Sequence, residues 1–111
     1  MMLVATFVRD LLFSSKIREV AAQLGVKVQG ALDPAALARA VDAGAKLVIV
    51  VLRLERALEA LDAVAASGVP CVGFVDHEKT DVMDAARARG CGRVLAKGQF
   101  SKELPQILAE L

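Results

Sequence analysis

The sequence predicts one α/β domain, a doubly wound sheet of five parallel strands in the order 2-1-3-4-5 with helices on both faces. Three observations lead there. Short apolar runs begin near Met2, Val26, Leu47, Pro70 and Arg93, at spacings of 24, 21, 23 and 23 residues, each the length of a strand, a helix and two tight loops. The central run "LVIVVL", residues 47–52, is apolar without alternation, as a strand covered on both faces must be. A chain of 111 residues with 56% hydrophobic content can bury one continuous core and is too short for two, so the domain is expected to span residues 1–111.

The elements follow in order. "MMLVATFV" is the first strand, closed by Arg9 and Asp10. Phe13, Ile17, Val20, Ala21 and Leu24 then share one helical face, and Gly25 stands where a left-handed residue ends a helix. "VKVQ", residues 26–29, alternates, which suits an edge strand. Asp33 as N-cap and Pro34 at the first helical position open the second helix, which stops at Gly44. Leu54, Leu58, Leu61 and Ala65 place the third helix, ending at Gly68, and the fourth runs from Thr80 or Asp81 to Gly90. The fifth is expected to start at a Ser101 cap, with Pro105 in its first turn and Leu104, Ile107, Leu108 and Leu111 on one face. Strands joined by helices are parallel, and right-handed crossovers give the stated order.

Composition excludes several classes of function. Fourteen basic against thirteen acidic residues leave a net charge of +1, which supplies no field for nucleic acid, anionic lipid or an acidic substrate. All four aromatics are Phe, too few for the stacking that single-stranded nucleic acid requires. The opening apolar run lacks a basic segment and a cleavage site, and no uncharged run reaches the ~20 residues of a membrane helix. Two cysteines, Cys71 in a predicted core strand and Cys91 after a helix, make no disulfide scaffold. A cytoplasmic protein without nucleic-acid or membrane partners is expected.

Ligands of such a sheet meet the carboxyl ends of its strands, which narrows the candidates to four loops. They carry Thr6, Phe7, Arg9 and Asp10; Val51, Leu52 and Arg53; Val75, Asp76 and His77; Lys97 and Gly98. Along its whole length the chain resembles the response-regulator receiver domain, the CheY-like phosphoacceptor module with a flavodoxin-like sheet. The resemblance rests on the five-unit spacing, on "KLVIVVL", on "VPCVGFVDH" and above all on "GCGRVLAKGQF", where a Lys closes the last strand and an aromatic follows three residues later. It implies an acid pair near Thr6 and Phe7, a phosphoacceptor at Val51, a hydroxyl at Val75 and a conserved role for Lys97. Only Lys97 fits. Valine offers no lone pair to phosphorus, and Phe7 and Val75 supply no hard oxygen for magnesium. The expectation is a degenerate pseudo-receiver, not an enzyme, with its crevice filled by side chains.

The other candidates have plainer readings. Asp10 is expected to cap the first helix, and Asp76 to pair with Lys97. Thr6, Arg9, Arg53 and Lys97 would be the residues of a small-anion or nucleotide sensor, against the simpler reading that the basic heads reach water. "DHEKTD", residues 76–81, matches no metal-ligand spacing, and neither metal nor cofactor is expected. Cys91 in "RARGCGR" would be an exposed redox thiol if a neighbouring Arg lowered its pKa, against the plainer reading of a turn residue without a role. The resemblance further implies a regulatory protein partner, bound through the last two units. There Arg87, Arg89, Arg93 and Lys102 beside Asp84, Glu103 and Glu110 form a mixed-charge face that, with a short fifth helix, suggests a two-fold homodimer.

Overall fold

The computed structural model describes residues 2–111. Strands and helices alternate as β1 (Leu3–Phe7), α1 (Leu11–Gln23), β2 (Lys27–Gly30), α2 (Pro34–Asp42), β3 (Leu47–Val51), α3 (Ala57–Ala65), β4 (Cys71–Val75), α4 (Thr80–Ala88), β5 (Arg93–Ala96) and α5 (Lys97–Ala109). The strands form one sheet in the order β2-β1-β3-β4-β5, all neighbours parallel, and each begins within one residue of its predicted start. β3 is paired on both sides and every one of its residues is buried, which explains its unbroken run of apolar residues. β2 pairs only with β1 and is largely exposed.

The sheet divides the interior into two cores of different character. On one face α2, α3 and α4 lay down Leu37, Ala40, Ala57, Ala60, Leu61 and Ala86 against Ala5, Phe7, Val48, Val50 and Val75. On the other, α1 and α5 bring Phe13, Ile17, Phe100, Leu104 and Ile107 onto Ile49, Val51, Val72 and Phe74. Three of the four phenylalanines thus share the second face, where only two helices must cover the sheet.

Local signals act as expected at most helix ends. The Asp33 carboxylate accepts a 2.7 Å hydrogen bond from Ala36 N, and Pro34 occupies the first turn. Gly25 at φ 70° and Gly44 at φ 110° follow α1 and α2 in the left-handed region, which a Cβ would strain.

Two helix starts differ from the sequence reading. α3 begins at Ala57, and Leu54 lies in the preceding turn, half-buried against both cores. α5 begins at Lys97, four residues before the expected cap, and its 13 residues match the length of α1. Phe100 is fully buried one turn before Leu104, so its packing draws the backbone into a helix despite Gly98. Ser101 is consequently inside the helix, where its hydroxyl contacts Lys16 Nζ of α1, and Pro105 sits in the interior with no N–H to offer the Ser101 carbonyl.

Candidate functional site

The carboxyl ends of β1, β3 and β4 meet above the Phe-rich core. Val51 ends β3 with 2% exposure. Around it Phe13 of α1 and Phe74 of β4 stand 5.0 Å apart between ring centroids, and Phe74 stacks on Phe100 at 4.0 Å with the planes 5° apart. Leu52 closes the other face: it packs over Gly73 so tightly that a Cβ there would come within 2.8 Å of its Cδ2. The space left between Asp10, Phe13, Val51, Phe74, Val75 and Lys97 is about 10 Å³. One water molecule needs about 10–15 Å³, so the space holds at most one.

Charge on the rim is satisfied in pairs. One oxygen of Asp10 accepts from Leu12 N at 2.9 Å and Phe13 N at 3.2 Å, capping α1, and the other accepts from Arg53 at 3.1 Å. The backbone hydrogen bond from Phe13, helped by that from Leu12 and by Arg53, holds its carboxyl below the usual carboxylate range. Lys97, the first residue of α5, reaches Asp76 Oδ1 at 3.8 Å and lies 5.4 Å from the centroid of the Phe13 ring. The Asp10 cap and the Asp76–Lys97 pair were legible in the sequence. The Arg53–Asp10 pair joins loops 43 positions apart and was not.

The remaining candidates are distributed rather than gathered. Thr6 is buried at 4% exposure within β1. Phe7 and Val75 belong to the α2–α3–α4 core, and Val51 to the α1–α5 core. Arg9 and Arg53 line a separate open cleft of about 500 Å³ with Leu32, Leu54, Glu55 and Arg56, which neither Thr6 nor Lys97 reaches. On the last two units Arg87 pairs with Asp84, Arg89 with Asp62 and Arg93 with Glu110, while Lys102 is exposed and Glu103 half-buried. Those three cations are therefore neutralised within the chain, and α5 is not the short helix that favoured a dimer. His77 is exposed in the loop before α4. Among the described residues no three His, Cys, Asp or Glu side chains gather to hold a metal, and no helix is long and apolar enough to cross a membrane.

One juxtaposition escaped the sequence reading. Cys91, two residues before β5, is 5% exposed, and its sulfur lies 3.8 Å from that of Cys71, the first residue of β4. The register Val72↔Arg93 brings them together, and it cannot be read until β4 and β5 are known to be neighbours.

With the geometry in place, comparison with known proteins is informative on one level. No family model and no curated protein matches the sequence. Solved structures do match. A response regulator from Hahella chejuensis superposes with a TM-score of 0.82 at 20% identity, covering 98% of this chain and 93% of that one. The chemotaxis response regulator CheY4 of Vibrio cholerae gives 0.81 at 19%, covering 99% and 98%. NtrX from Brucella abortus, in complex with ADP, gives 0.79 at 18% over 99% of this chain, which spans only 27% of that longer protein. The chain has the receiver fold. Within that fold, β3 ends in Val51 and hydrocarbon lines the crevice above it.

Proposed function

We propose that the chain is a receiver-fold module of signal transduction that works by binding a regulatory protein, independently of phosphorylation and without turnover. The observation that carries this reading is the closed crevice. Val51, Phe13 and Phe74 leave about 10 Å³ where a phosphoryl group and its counter-ion would need to lie. No carboxylate is free to replace the missing acceptor: Asp10 is held by two amides and Arg53, and Asp76 is paired with Lys97. Incubation with acetyl phosphate and magnesium is the test. Intact-mass measurement should find no added phosphate, and stoichiometric acid-labile phosphate would overturn the reading.

The partner surface proposed is the α4–β5–α5 face, with a second copy of the chain as one occupant. Intramolecular pairing of Arg87, Arg89 and Arg93 leaves exposed Lys102 and the half-buried Val82, Met83 and Val94 to supply any contact. Light scattering across a concentration series should show a dimer there, lost on Lys102→Glu; a monomer at all concentrations would remove the dimer and leave the partner heterologous.

One observation favours a second reading, a small-anion or nucleotide sensor: the 500 Å³ cleft with Arg9, Arg53 and Arg56 over Leu32 and Leu54. Of these, Arg53 and Arg56 already pair with Asp10 and Glu59. A thermal-shift panel of phosphates, nucleotides and carboxylates separates the readings, because a ligand bound only by the folded state raises Tm.

A further inference from the structure

We propose that Cys71 and Cys91 form a reversible dithiol–disulfide site at the amino end of the sheet, oxidised by a low-molecular-weight disulfide. The sulfurs stand 3.8 Å apart with no bond between them, and both residues line an open cavity of about 230 Å³ with Leu61, Pro70, Arg89 and Gly90. The cavity gives a small oxidant access to thiols otherwise set among core residues.

Backbone geometry permits the bond. Cys71 precedes the pair Val72↔Arg93 by one residue and Cys91 precedes it by two. In a regular ladder that one-residue offset would turn the two side chains to opposite faces, but Cys91 precedes β5 and its N–H bonds to Ala86 O, so it escapes the alternation and both sulfurs meet in the same core. From 3.8 Å the sulfurs must close to about 2 Å. Gly90 and Gly92 flank Cys91, so the segment that must adjust carries no bulky neighbour.

The two thiols are chemically unequal. The hydrogen bond with the Cys71 thiol, outweighing burial, holds Cys91 below the ordinary thiol range, while its thiol form donates to the carbonyl oxygens of Arg93 and Cys71. Cys71 is pushed up by Cys91 and by burial. Either sulfur can attack first, Cys71 being the more exposed of the two. As a thiolate it displaces one half of the small disulfide, forming a mixed disulfide and releasing a thiolate. The other cysteine, on losing its proton, attacks the first sulfur and expels the second small thiolate. One small disulfide is reduced to two thiols, the protein pair is oxidised, and the two protons lost by the cysteines end on the released thiols. A small dithiol reverses the sequence.

Oxidised glutathione and dithiothreitol serve as probes on the full chain. After oxidation, alkylation under denaturing conditions should find no free thiol, and intact mass should show loss of two hydrogens with no glutathione retained. Peptide mapping should link residues 71 and 91, and Tm should rise by about 10 °C, because the bond closes a loop of some twenty residues. Cys71→Ser should stop at the mixed disulfide on Cys91; the wild-type measurement stands alone if that variant misfolds. Two alkylatable thiols after prolonged exposure, or glutathione adducts that never resolve to an internal bond, would overturn the proposal.

Discussion

The centre of the sheet's carboxyl end and its amino end make a contrast. At the carboxyl end, where doubly wound proteins bind ligands, side chains from α1, β3 and β4 shrink the space over Val51 to about 10 Å³ and Asp10 and Asp76 on its rim are paired, the open cleft of Arg9 and Arg53 lying to one side. At the amino end, where the fold usually carries only stability, a cavity of about 230 Å³ opens between the end of α3 and the turn after α4, beside the chain's only two thiols. The difference teaches that fold locates a crevice without filling it with chemistry. Hydrocarbon makes the centre of one end part of the core, while glycine-bearing turns border the cavity at the other.

If the carboxyl end is core, damaging it should be costly. Phe74→Ala removes the ring that touches both Phe13 and Phe100 and should lower stability by about 3–5 kcal/mol in urea denaturation, the range for a deleted core aromatic. A loss below about 1 kcal/mol would mean the cluster is loosely held. Gly73→Ala drives a methyl into Leu52 and should cost about 1–3 kcal/mol, partly recovered by Leu52→Val, which shortens the opposing side chain.

Smaller effects belong to the rim. The Asp10 pKa is lowered in the folded state, so the carboxylate's contribution is complete above its unfolded pKa of about 4 and fades as pH falls through the folded value. Wild type should therefore melt above Asp10→Ala at pH 7, and the two curves should converge in acid; an equal gap at pH 2.5 would assign the cap another origin. Lys97→Met should change stability least, by less than about 0.5 kcal/mol, since its partner is 3.8 Å away and both side chains are nearly half exposed. A larger loss would show that the ammonium holds Phe13 in place.

These contrasts also mark what the sequence could reveal. β-Strand starts and the Asp10 and Asp33 caps were legible because each depends on residues a few positions apart. The apolar character of the crevice was legible in Val51 and Val75. Its plug was not, since Phe13 and Phe74 meet only through the packing of α1 on β4, and side-chain direction across elements has no local signature. α5 was placed late because Ser101 has the chemistry of a cap and Gly98 that of a breaker; burial of Phe100 outweighed both. Cys91 looked idle for a related reason: its neighbour is twenty positions away and comes within reach only through strand pairing.

The sheet's margins carry a last implication. β2 and β5 are each four residues long and begin with a cation, Lys27 and Arg93. Were one molecule to append its β5 to the β2 of the next in parallel, the ladder would hold four residues at most, with Lys27 beside an Arg93 already bound to Glu110. So short a backbone seam adds little to polymerisation through shared strands, even in a chain this rich in hydrocarbon.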